Sequence, residues 1–167
     1  MPEEYAFLRD TADRAIQKIK QFESFKSSYG YCHYDLLPKN FHFDEGNLIT
    51  FFDFDWLGKG FLANDLMTFY IQLFFLVYHK IITQEEADRS FMVLVDGYRE
   101  QRNLSEEELE AIPWLGVMFW IFGLGFYEEN FDDFSNTFLT PKFIRDRIAM
   151  IKKWVDSYCN TRFTAAG

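Results

Sequence analysis

Asp35, Asn40 and Asp53 constrain this chain more than any other feature, because each stands among apolar residues where a polar side chain needs partners. Asp35 and Asn40 belong to the run His33-Tyr34-Asp35-Leu36-Leu37-Pro38-Lys39-Asn40, and Asp53 to Ile49-Thr50-Phe51-Phe52-Asp53-Phe54-Asp55. Between the runs, Asp44-Glu45-Gly46-Asn47 is a turn sequence. Two apolar runs around such a turn predict a β-hairpin, which returns Asp53 to the side of the loop that carries Asp35 and Asn40.

One carboxylate beside two hard oxygen donors suits phosphoryl transfer. A base must orient and deprotonate an acceptor hydroxyl, and Mg²⁺ must spread the charge developing on the phosphate oxygens. Asp35 is the candidate base. The amide oxygen of Asn40 and the carboxylate of Asp53 are candidate metal ligands, adding one negative charge and leaving positions for substrate phosphates. His33 belongs to the same catalytic loop, as a brace by hydrogen bonding rather than a reacting group. Asp55 assists the metal if the strand stays extended, since it then shares a face with Asp53, whereas a turn after Phe54 aims it elsewhere. Lys39 reads first as a solvated loop charge, with a phosphate contact as the alternative.

His-x-Asp-x-x-x-x-Asn, then Asp53-Phe54-Asp55, Gly58, Gly60 and Asn64-Asp65-Leu66, resembles the aminoglycoside phosphotransferase and choline kinase superfamily, whose catalytic lobe is related to that of protein kinases. The resemblance implies Asp35 as catalytic base, Asn40 and Asp53 as Mg²⁺ ligands, and Asp65 as a structural residue opening a helix beneath the site. It implies ATP as phosphoryl donor. The family commonly has Gly after the loop His, His two residues after the base and a small residue before the Asn. Tyr34, Leu37 and Lys39 stand there instead.

Kinases of this superfamily also carry an N-terminal lobe, a β-sheet with a phosphate-covering loop and a Lys that pairs with the nucleotide phosphates. Before His33 the chain offers neither a strand pattern nor a glycine earlier than Gly30. Residues 3–26 instead show apolar spacing, through Ile16, Ile19, Phe22 and Phe25, that predicts one amphipathic helix. The resemblance thus covers almost the whole chain but only the C-terminal lobe, and implies that nucleotide binding needs a lobe encoded elsewhere.

At 167 residues, 49% hydrophobic and 20% aromatic, the chain suffices for one domain with a real core. Its net charge of −9 argues against nucleic acid, which calls for a basic surface. The acidic start Met1-Pro2-Glu3-Glu4 is unlike a signal peptide. Leu66 to Tyr78 is too short for a membrane span, and Ile112 to Tyr127 holds Pro113 and three glycines and stops at Glu128-Glu129, so both read as core helices. Two cysteines without a metal or disulfide pattern fit a cytoplasmic setting.

Capping signals at Thr83-x-x-Glu86, Ser105-x-x-Glu108 and Thr140-Pro141 place helices at about 64–80, 84–101, 105–130 and 141–158. The expected fold is mainly α, with a short hairpin carrying Asp53. In the aromatic stretch, Trp114, Trp120 and Phe122 are expected in the core. The first functional expectation is a phosphotransferase lobe acting on a small-molecule hydroxyl of aminoglycoside, choline or homoserine type. The alternatives are a protein Ser/Thr kinase of the bacterial stress-response type, or a truncated, non-catalytic binding module. Without an upper lobe, apolar surface around Trp56, Leu57, Phe61 and Leu62 would favour a homodimer or a partner chain.

Overall fold

The computed structural model describes residues 2–21, 28–46, 48–132 and 139–160. It is mainly helical, with two small antiparallel ladders. Elements run α1 (Pro2–Gln21), β1 (Tyr29–Cys32), a 3₁₀ turn (Pro38–Asn40), β2 (Phe41–Phe43), β3 (Ile49–Phe51), β4 (Gly58–Phe61), α2 (Ala63–Tyr78), α3 (Gln84–Gln101), α4 (Glu106–Glu129) and α5 (Pro141–Trp154). A single π-helical turn, Val155–Cys159, extends α5. The chain divides into two compact units, Ser24–Ile112 and Met1–Glu23 with Pro113–Gly167.

In the unit Ser24–Ile112 the expected hairpin forms, but its second strand ends at Phe51, so Asp53 lies beyond the ladder rather than on it. β2 pairs with β3 in the register Phe41↔Phe51, His42↔Thr50 and Phe43↔Ile49. Asp44 closes its turn by accepting the Gly46 and Leu48 N–H groups on Oδ1, each at 3.0 Å. A second ladder, which the sequence did not announce, brackets it: β1 pairs with β4 in the register Tyr29↔Phe61, Gly30↔Gly60, Tyr31↔Lys59 and Cys32↔Gly58. Its pattern is easy to overlook because glycines occupy the covered face while Tyr29 and Tyr31 lie exposed.

Helix α2 carries buried residues on most sides, from Leu66 and Met67 through Tyr70, Ile71 and Phe74, as an apolar core helix should. Tyr70 stacks on Phe91 of α3 with ring centroids 4.0 Å apart. Full burial of such a side chain is worth about 1.5–3 kcal/mol. Thr83 and Glu86 complete a reciprocal capping box on α3, and Ser105 and Glu108 do the same ahead of α4.

In the other unit, α1 covers the expected amphipathic segment as far as Gln21; Phe22 and Phe25 lie outside the described residues. Its buried positions are Thr11 and Ala15, whereas Ile16 is exposed, so the covered stripe is rotated from the one suggested by the largest apolar residues. Trp114 and Trp120 are buried as expected, but Phe122 is exposed. By length and composition α4 could cross a membrane; half of its apolar window is buried within the chain, as in a core helix.

Trp154 is fully buried, and its indole N–H donates to the Pro113 carbonyl at 2.9 Å. Gly116 makes room for that ring: a Cβ there would lie 2.7 Å from Trp154 Cζ2 and 3.0 Å from Cε2. Gly116→Ala improves helix propensity by up to about 1 kcal/mol, but overpacking against a pinned indole costs about 1–3 kcal/mol. A net loss of stability is expected, read as a lower urea midpoint at constant slope; an unchanged or raised midpoint would show that the indole gives way.

Candidate active site

The catalytic-loop segment turns sharply enough to bring Asp35 and Asn40 together. Leu37 N–H donates to the Asp35 carbonyl at 2.7 Å, and Asn40 N–H to the Leu37 carbonyl at 2.8 Å, across the turn that Pro38 opens. Buried Asn40 then donates its amide hydrogens to the Asp35 carbonyl at 2.8 Å and to Asp35 Oδ2 at 2.7 Å. Lys39 Nζ lies 3.2 Å from the same Oδ2. With Oδ2 engaged, Oδ1 is the oxygen these contacts leave open. The Asn40 amide oxygen, the atom a hard cation prefers, is likewise left by this pairing.

Phe52 joins this loop to Asp53. Its N–H donates to the Asn40 carbonyl at 3.0 Å, extending the hairpin by one link. Its carbonyl lies 3.0 Å from His33 Nε2, and His33 Nδ1 accepts the Asp35 N–H at 3.3 Å. Since a carbonyl only accepts and an amide N–H only donates, the imidazole is neutral with its proton on Nε2. His33 thus braces the backbone of both the loop and the strand. Asp53 follows with φ 64, a left-handed conformation that non-glycine residues adopt at a cost and that reorients the chain after β3. Its carboxylate is exposed and has no protein partner among the described residues.

Asp65, in the first turn of α2, accepts Tyr34 N–H on Oδ1 at 2.9 Å and His33 N–H on Oδ2 at 3.1 Å. Burial raises its pKa, against the pull of those two hydrogen bonds. Tyr34, at the position where the family commonly has Gly, has φ 62, and its phenol Oη accepts from Asn64 Nδ2 at 3.2 Å. Burial pushes the phenol up to about 12, and likewise the thiol of Cys32. Gly60 provides the notch: a Cβ there would collide with Tyr34 Oη and come within 2.9 Å of Asn64 Nδ2.

Asp35, Asn40 and His33 are therefore in direct contact, and Phe52 ties Asp53 to them. Asp55 takes the second of its two expected geometries, in the turn closed by the Leu57 N–H to Phe54 carbonyl bond at 2.9 Å, rather than in an extended strand. Sequence reasoning missed the Lys39 pairing and the Tyr34, Gly60 and Asn64 lock, although the five-residue spacing of the loop and the Gly58-Lys59-Gly60 run were visible signals. The donor set fits a hard divalent ion: one amide oxygen and one unpartnered carboxylate, with no cluster of three His, Cys, Asp or Glu ligands among the described residues. Such a pair suits an ion whose remaining positions are filled by phosphate and water.

The chain is 28% identical over 117 residues to amicoumacin kinase of Bacillus subtilis (strain 168), covering 68% of this chain and 34% of that protein. It is 26% identical over 135 residues to an uncharacterized protein of Deinococcus radiodurans, covering 78% of this chain and 37% of that one. The chain thus spans about a third of the length of these curated relatives. The sequence model of the phosphotransferase enzyme family, APH, matches residues 2–104, a stretch that contains every residue of the site described above, and the chain belongs to that family.

Proposed function

We propose that this chain is the catalytic lobe of an ATP-dependent phosphotransferase acting on a small-molecule hydroxyl. The observation that carries the reading is the state of Asp35: Oδ2 is held by Asn40 and Lys39 while Oδ1 stays open, and Phe52 ties the loop to the segment that leads from β3 into Asp53. Asp35 takes the proton from the acceptor hydroxyl as its oxygen bonds to the γ-phosphorus. The bond to the bridging oxygen breaks and ADP leaves. Asn40 and Asp53 would hold Mg²⁺, which would neutralise charge on the phosphate oxygens.

A small-molecule acceptor, of aminoglycoside, choline or homoserine type, is supported by the likeness to a protein named amicoumacin kinase. The cytoplasm supplies the ATP this reading needs. The nucleotide-binding lobe would cover the apolar segment in which Phe52, Phe54, Trp56 and Leu57 are 41–51% exposed; Phe61 and Leu62 are partly covered already. A partner chain or a second copy would serve in its absence.

The test titrates the chain calorimetrically with ATP and Mg²⁺ against a metal-only control. It then assays γ-phosphoryl transfer to a panel of small hydroxyl acceptors with the nucleotide-binding lobe joined to it. Transfer to a small molecule is expected. Phosphate appearing only on protein Ser or Thr would favour a protein kinase, and acceptor binding without transfer a non-catalytic binding module.

A further inference from the structure

We propose that Lys39 is a resident cation of this site, resting on Asp35 Oδ2 until phosphate arrives and selecting against a divalent ion that comes without it. The inference rests on the metal-ligand reading of Asn40 and Asp53 given above. The Lys39 ammonium and the Asn40 amide nitrogen converge on one atom, Asp35 Oδ2, at 3.2 and 2.7 Å. The oxygen of that same amide group is the ligand atom for the ion. A divalent ion there shares this small site with the ammonium, and like charges within a Debye length repel, modestly where solvent reaches them as it does Lys39.

Phosphate reverses the sign of this interaction. Oxygens bound to the divalent ion bring negative charge within reach of the ammonium, so the cation that opposed bare metal then attracts the metal-phosphate unit. The backbone at Lys39 is held, because Pro38 precedes it and Asn40 N–H is bonded to the Leu37 carbonyl. The side chain is 63% exposed, and a lysine stem lets a point charge swing while its Cα stays in place. Asp35 keeps the Asn40 hydrogen bond when Lys39 departs, so the base remains oriented.

The experiment measures Mn²⁺ binding to the full chain by electron paramagnetic resonance, with and without pyrophosphate, for wild type, Lys39→Met, Lys39→Arg and Asp53→Asn. Lys39→Met should bind bare Mn²⁺ about two- to five-fold tighter, in keeping with an exposed ion pair, and should bind pyrophosphate in saturating Mn²⁺ more weakly by a similar factor. Lys39→Arg, which keeps the charge, should stay within about two-fold of wild type in both. Any result in which Lys39→Met does not shift the two affinities in opposite directions overturns the proposal. Loss of Mn²⁺ binding in Asp53→Asn with no change in Lys39→Met overturns the Lys39 inference alone. Equal Mn²⁺ binding in Asp53→Asn and wild type, or none in any protein, removes the metal-ligand reading and the inference with it.

Discussion

Asp35→Asn, in an active protein carrying this lobe with its nucleotide-binding partner, is expected to lower kcat by ~10²- to 10⁴-fold while KM for Mg·ATP changes by less than about two-fold. The substitution is close to isosteric. An asparagine side chain can turn its oxygen toward Asn40 Nδ2 and Lys39 Nζ, which approach Asp35 Oδ2 at 2.7 and 3.2 Å, so the loop keeps its shape. What disappears is the ability to take a proton from the acceptor. Steady-state kinetics on both substrates check this, and a parallel loss of nucleotide affinity would show that Asp35 belongs to the metal shell rather than to the acceptor.

Asp65→Ala is expected to destabilise the chain by about 2–5 kcal/mol, because it removes the acceptor of two backbone N–H groups, those of His33 and Tyr34, in a half-buried setting. Asp65→Asn should fall between, since an amide offers one acceptor where two donors converge. The pH dependence has a definite sign. Burial raises the Asp65 pKa in the folded chain, so the native state binds that proton more tightly than the unfolded chain does. The contribution of this group is fully present below the unfolded value and declines as pH rises through the raised one. The difference between wild type and Asp65→Ala should therefore shrink from acid toward neutral pH and then level off. Urea titrations of both proteins across that range test it, and a difference that grows with pH would mean that the two hydrogen bonds outweigh burial.

Much of this was readable from sequence, for identifiable reasons. Helix limits followed from side chains that satisfy orphan backbone groups: the Thr83, Ser105 and Thr140 caps form as their spacing implied. The hairpin followed from its turn residues. What escaped was structure made by glycine and by long-range fit. In the β1–β4 ladder Tyr29 and Tyr31 face solvent while Gly60 and the small Cys32 are buried, a weak form of the usual strand signal. Ile16 and Phe122 are exposed because helical spacing limits a stripe to a few faces, and size alone does not choose the face that is covered. Lys39 is largely solvated as its loop position implied, but nothing in a linear spacing of four says that a 3₁₀ turn will also fold the ammonium back onto Asp35.

The imidazole of His33 removes a mechanical degree of freedom. Held at one nitrogen by the Asp35 N–H and at the other by the Phe52 carbonyl, it behaves as a tie rod between the base and the strand that leads into Asp53. A displacement of the hairpin is then transmitted to the base in the same movement, without any contact to the acceptor. In the proposed function this gears proton removal by Asp35 to charge neutralisation at Asp53, so a substitution along β2 or β3 would be felt as a mistimed base as much as a misplaced ligand.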